Sequence, residues 1–152
     1  MSVVHVLEQE QIVGKPRSAV FAFFAEPENL ERITPPELSF HILTERPIAM
    51  REGALIDYQL RLMGIPFTWR TLIEVYEPES RFVDVQLKGP YALWRHTHTF
   101  EDAGGKTLMK DRVEYALPLG PLGGFAHALF VRRQLRTIFE HRRRIVDDLF
   151  AA

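Results

Sequence analysis

The chain has 152 residues, of which 46% are hydrophobic, 11% aromatic and 26% charged, the make-up of a globular protein rather than a disordered or fibrous one. A formal net charge of −1 gives the whole no electrostatic pull toward nucleic acid, and the absence of cysteine excludes disulfides, thiolate zinc sites and cysteine nucleophiles. The N-terminal MSVVHVLEQEQ lacks a basic segment followed by a long apolar core, and no apolar run reaches the ~18 residues of a membrane span, so a soluble, cytoplasmic protein is expected.

Val3 to Val13 alternates in part and reads as a first strand, broken by Gly14-Lys15-Pro16. Pro16 suits the first turn of a helix that carries AVFAFFAE and ends before Pro27; a second short helix, Glu28 to Ile33, stops at Thr34-Pro35-Pro36. From Leu38 the period becomes two, through LSFHILTE, ALIDYQLRLM, PFTWRTLIEVYE, RFVDVQLK, ALWRHTHTFE and KTLMKDRVEYAL, with short Gly- or Pro-bearing turns between. Six consecutive strands with such turns predict an antiparallel meander. After LPLGPLGG, residues 117–124, which reads as a hinge that shapes a cavity mouth, helical spacing returns and predicts one long C-terminal helix, about 39 Å for ~26 residues. No linker or repeat interrupts the chain, so 1–152 reads as a single α+β domain in which the long helix covers one face of the sheet.

This element order, together with LERITPPELSF, GALIDYQLRLMGIP, RFVDVQLKGPYALWRHTHTFE and DRVEYALPLGPLG, resembles the SRPBCC superfamily from about Val3 to Phe150. That superfamily has the helix-grip fold of START lipid-transfer domains, polyketide cyclases and birch-pollen-type allergens, and the nearest likeness is to small stand-alone bacterial members described as ligand-binding or cyclase/dehydrase-like. The resemblance implies a curved seven-stranded sheet that grips the C-terminal helix around an internal cavity. It implies where a site lies, and no reaction.

Period two sorts the strands without reference to a family. Trp94, His96, His98 and Phe100 share one face, which carries the larger rings and no permanent charge and is assigned inward. In the next strand Lys110, Arg112 and Glu114 must face water, which turns Met109, Asp111, Val113 and Tyr115 inward. The hairpins then bring His98 near Asp111, and Asp84 or Gln86 near His96 if Phe82, Asp84 and Gln86 face inward; the more apolar set Val83, Val85 and Leu87 argues the other way. Ile56, Tyr58, Leu60 and Leu62 read as inward, as do Phe67, Trp69, Thr71 and Ile73 in preference to Arg70, Leu72, Glu74 and Tyr76.

Three roles suit this set. Hydrogen bonding to a ligand in the cavity by His96, His98, Asp84 and Asp111, beside Tyr58, Trp69, Trp94, Phe100, Val113 and Tyr115, ranks first. Proton transfer by a histidine oriented by Asp111 ranks second, and a metal held by His-x-His with Asp111 third, without a recognisable further ligand. For Trp69, Phe100 and Tyr115 core packing is at least as good an account. Arg132, Arg133, Arg136, Arg142, Arg143 and Arg144 read as a solvated helix face, with Glu140 and Asp147 as partners at four-residue spacing. The expected function is the binding of a small hydrophobic molecule, without cofactor, nucleic acid or membrane span. A cyclase, dehydratase or isomerase with a His-Asp pair, or a protein that binds a partner or forms a homodimer, stands as the alternative.

Overall fold

Proline and glycine mark the places where the chain changes conformation. In the computed structural model, which describes residues 3–118 and 120–151 with only the backbone of 120–129, β1 (His5–Val13) ends at Gly14 and Pro16 precedes α1 (Arg17–Phe24). There its fixed φ suits the helix start and its missing N–H leaves nothing unpaired. α2 (Asn29–Ile33) stops before Pro35, and a 3-10 turn covers Pro36–Leu38. Six strands follow, β2 (His41–Ile42), β3 (Leu55–Leu62), β4 (Ile65–Glu77), β5 (Arg81–Lys88), β6 (Leu93–Ala103) and β7 (Lys106–Ala116), and then α3 (Gly120–Leu149).

The strands form one antiparallel sheet in the order β1-β7-β6-β5-β4-β3-β2. Two hairpins turn through consecutive positive φ angles, Met63 at 53° with Gly64 at 79°, and Gly104 at 65° with Gly105 at 87°, the geometry that matches strand twist. β1 pairs with β7, Leu7 opposite Val113 and Gln11 opposite Met109, so α1 and α2 carry the chain to the opposite edge, where β2 lies. There the strand expected from LSFHILTE shrinks to His41 and Ile42, because the 3-10 turn occupies Pro36–Leu38 and Ser39 takes a left-handed φ of 47°.

β4 resolves its two candidate faces by using both. Trp69, Thr71 and Ile73 are buried on the inner face, but a register irregularity between Ile73 and Val75 shifts the alternation, and Tyr76 then packs inward against Phe21. An extra residue in one strand of a ladder has this effect. In β5 Phe82, Asp84 and Gln86 face inward despite the more apolar alternative; Leu87 is exposed, and Val83 is buried on the other side. Gln86 closes the β5–β6 turn by donating to the Tyr91 carbonyl and accepting from the Tyr91 N–H, at 2.8 and 3.0 Å. A Cβ on Gly89 would stand 2.6 Å from the Gln86 Oε1.

α3 starts inside the segment expected to be a hinge; its first residue is Gly120 and its length 30 residues, while Leu119 lies outside the described residues. Leu135, Phe139, Arg142 and Val146, spaced by four, three and four, are its buried stripe. Leu135 and Phe139 pack with Trp69, Tyr91, Val113 and Tyr115, whereas Val146 joins Phe21, Phe24, Phe82, Phe100 and Met109. Gln11 pins the helix to β1, its amide donating to the Arg143 carbonyl at 2.9 Å and to Asp147 Oδ1 at 2.8 Å. Phe100, 1% exposed, is the pivot of the second cluster, with Phe21 edge-on at 5.1 Å and Phe24 at 5.8 Å. Phe100→Ala is therefore expected to lower the unfolding free energy by about 3–5 kcal/mol, read as a lower urea midpoint at unchanged m; a loss below 1 kcal/mol would mean that the ring is not a core element.

Candidate functional site

β6 carries His96 and His98 two residues apart, so both imidazoles stand on the inner face and stack at a centroid distance of 3.6 Å. Phe82 of β5 stacks on the far side of His98 at 4.0 Å, and Phe139 of α3 meets His96 edge-on at 5.5 Å. The backbone register is the expected one, with His98 opposite Asp111 and His96 opposite Asp84. The hydrogen bonds run along the diagonals instead, His96 Nε2 to Asp111 Oδ1 at 2.8 Å and His98 Nε2 to Asp84 Oδ2 at 2.6 Å. The expected His98-Asp111 and His96-Asp84 pairs are thus replaced by the crossed pairs, because diagonal neighbours lie within reach of long side chains; the direct contacts remain longer, at 3.5 and 3.9 Å.

Behind this quartet sits Arg142, 7% exposed, between the rings of Phe24 and Phe139 at 5.1 and 5.6 Å. Its Nη2 lies 3.6 Å from Asp111 Oδ1, and no hydrogen bond among the described residues reaches its buried Nε or Nη2. This corrects the reading of the whole arginine series as a solvated face. Arg143 is exposed as expected, but it donates to the Glu10 carbonyl at 3.0 Å, and Asp147 accepts from Gln11 rather than from an arginine. The sequence does hold a signal for Arg142: position 142 falls in the stripe 135, 139, 142, 146 that faces the sheet.

Burial opposes ionisation of Asp111, but the Arg142 guanidinium, the hydrogen bond from His96 and the neighbouring imidazoles hold its carboxyl well below the usual carboxylate range. Asp84 is likewise lowered: burial works against it, and the His98 hydrogen bond with the charges of His96, His98 and Arg142 outweighs burial. Burial pushes the His98 imidazole down to about 4, with His96 adding to the fall and Asp84 offsetting part of it. Near neutrality the cluster therefore holds two carboxylates, one guanidinium and a neutral His98.

Three of the four, Asp84, His96 and His98, border a partly open cavity of about 170 Å³ between the sheet, α1, α2 and α3. Tyr58, Trp69, Asp84, Trp94, His96 and His98 stand on its wall, together with Arg142, Phe139 and rings from α1 that parity along the strands could not supply. Asp111, Phe100, Val113 and Tyr115 do not line it. Asp111 lies behind the histidines, Phe100 is core, and Val113 and Tyr115 are sealed at 0% and 2% exposure. Alternation assigns a face to a residue, and the depth of the cavity along that face depends on the helices laid over it. The Tyr58 hydroxyl is engaged with Thr71 Oγ1 at 2.9 Å, whereas the buried Trp69 Nε1 has no partner among the described residues. The three residues whose side chains converge for a metal are Asp84, His96 and His98, with Asp84 in the place expected of Asp111.

His98 takes up its proton near 6.5 when exposed and near 4 when folded, so between these values the unfolded chain binds more protons and stability falls as pH is lowered. Both carboxylates, held below their ordinary 3.8, extend the loss as the pH drops through and below that value. In EDTA-containing buffer the urea midpoint is expected to fall from pH 6.5 to pH 4, and His98→Gln to flatten that slope. An unaltered slope in the variant would assign it to another group.

A family model described as polyketide cyclase / dehydrase and lipid transport matches residues 13–141. No curated protein matches the sequence significantly. Among solved structures, the chain is similar to the Zhui aromatase/cyclase from Streptomyces sp. R1128, at 14% identity over 95% of this chain and 92% of that one, with a TM-score of 0.75. A START superfamily protein from Mycobacterium smegmatis is similar at 12% identity, 96% and 97% coverage and a TM-score of 0.72. The ginseng major latex-like protein 151 from Panax ginseng is similar at 9% identity, 98% and 99% coverage and a TM-score of 0.67. At these identities the likeness establishes the fold alone, the helix-grip arrangement.

Proposed function

The chain belongs to the polyketide cyclase/dehydrase and lipid-transport family, and from that premise we propose that it binds a small, largely apolar, ring-bearing molecule in the cavity between sheet and α3. The observation that carries this reading is the composition of the cavity wall. Phe23, Phe24, Phe40, Trp69, Trp94 and Phe139 supply an aromatic enclosure, and Asp84, His96, His98 and Arg142 gather into one polar pole. Apolar walls of this kind provide affinity and a few convergent polar groups fix orientation. No helix among the described residues is long and apolar enough to cross a membrane.

A second reading, an enzyme of cyclase, dehydratase or isomerase type, is favoured by one specific feature: both cavity-facing imidazoles are hydrogen-bonded to carboxylates. A neutral imidazole whose tautomer is fixed by a carboxylate is equipped to accept a proton from a bound ligand. In this reading His96 is the base: Asp111 Oδ1 holds its Nε2–H at 2.8 Å and orients it, and its Nδ1 is left on the side of Asp84, where the cavity lies.

Native mass spectrometry of the purified protein, followed by organic extraction, tests the binding reading. The wild type is expected to carry a stoichiometric organic molecule, and Trp69→Ala and Arg142→Leu to lose it while keeping far-ultraviolet circular dichroism and a cooperative urea transition. A wild type that carries no such molecule, and whose Trp fluorescence is unmoved by a panel of aromatic ketones and fatty acids, would refute it. With the molecule identified, turnover abolished by His96→Gln with retained binding would select the enzyme.

A further inference from the structure

The two imidazoles bridge the two carboxylates in the same sense. Each turns one nitrogen toward Asp111 Oδ1, His96 Nε2 at 2.8 Å and His98 Nδ1 at 3.5 Å. Each turns the other toward Asp84 Oδ2, His98 Nε2 at 2.6 Å and His96 Nδ1 at 3.9 Å. We propose that Asp84, His96 and His98 form a site for a divalent first-row transition-metal ion of the zinc class, open to the cavity, in which Asp111 orients both ligating imidazoles.

Four observations converge on it. The donor atoms of Asp84, His96 and His98 lie within 4.8 Å of one another, and an ion bound at about 2.0–2.2 Å draws tetrahedral ligands to roughly 3.3–3.6 Å apart, so only small rotations separate the present arrangement from a closed one. All three residues line the cavity, and a site with three protein ligands keeps a position for a water or a substrate oxygen.

The outer partners are the ones such a site uses. Ligating histidines donate their second ring N–H to a carboxylate, which sets the tautomer. Here one carboxylate, Asp111, faces the second nitrogen of both rings and is itself held by Arg142. The buried His98 Nδ1 has no hydrogen-bond partner among the described residues. Shifting the His98 proton from Nε2 to Nδ1 frees Nε2 for the ion and points the N–H at Asp111, with no net loss of a proton from the protein.

Access agrees. The two carboxylates differ in reach: the Asp84 side chain retains 16% exposure, against 4% for Asp111, so Asp84 is the one an ion entering from the cavity meets.

The test is zinc uptake by the full chain, stripped with chelator and desalted, followed by calorimetric titration with zinc chloride, elemental analysis and the visible spectrum of the cobalt(II) form. One ion per chain is expected, with cobalt bands of four- or five-coordinate intensity. His96→Gln, His98→Gln and Asp84→Asn are each expected to abolish stoichiometric uptake, Asp111→Asn to weaken it by roughly tenfold to a hundredfold at unchanged stoichiometry, and His41→Ala, an exposed histidine, to leave it unaltered. Near-ultraviolet circular dichroism reports the fold of each variant. Absence of uptake by the wild type, or uptake retained in folded His98→Gln and Asp84→Asn, overturns the proposal. Because the probe is the metal alone, its failure leaves the organic-ligand reading untouched, and an ion bound by a protein without a co-purified organic molecule supports this site alone.

Discussion

Two carboxylates buried on the inner face of an apolar sheet demand compensation, and much of the arrangement around them follows from meeting that demand. An unpaired buried charge costs several kcal/mol, so Asp111 must find cations or donors within a few ångströms. It finds His96 from the neighbouring strand and Arg142 from the helix. The second contact crosses the whole layer and ties the rotation of α3 to the sheet. With Arg142 in the buried stripe, Leu135 and Phe139 fall against Trp69 and Tyr115, and Val146 falls against Phe100. A quarter turn of the helix would put a bare guanidinium on the aromatic cluster and leave Asp111 without a counter-charge.

The same demand fixes how the strands are read by their neighbours. Direct cross-strand partners in β5, β6 and β7 place each histidine opposite one carboxylate, yet the short hydrogen bonds cross to the other. The stack of the two rings at 3.6 Å explains the choice. Parallel imidazoles two residues apart on one strand present their edges on the same two sides, so each ring meets Asp111 on one side and Asp84 on the other. The quartet is consequently a closed ring of alternating acid and imidazole rather than two separate pairs, and removal of one member alters the partners of the other three.

Much of this was legible in the sequence, and the parts that were not share a cause. The strand sequence of β6 and β7 displayed its inner face openly, since Lys110, Arg112 and Glu114 leave only one orientation for Asp111. β5 was harder because Val83 and Val85 are as apolar as Phe82 and the chain there is covered on both sides. In β4 parity picked out the face of Trp69, Thr71 and Ile73 but put Tyr76 on the other, since the irregularity after Ile73 moves Tyr76 to the same face. Arg142 was passed over because five other arginines surround it in sequence and composition outweighed the four-three-four spacing that places it inside. The limits of the cavity were not legible, since they are set by α1 and α2 lying across the inner face, a tertiary fact with no local signature.

The division of labour inside the cavity follows from exposure more than from residue type. Asp84 and Asp111 are the same chemical group on adjacent faces of one imidazole stack, but one is sealed behind the rings with a permanent cation at its back and the other opens to the cavity. The sealed carboxylate can only orient and hold charge, because neither a ligand nor a proton from solvent reaches it without passing the histidines. The open one can exchange its partner. Asp84, His96, His98, Asp111 and Arg142 thus form one run of contacts that joins the cavity wall to the buried stripe of α3.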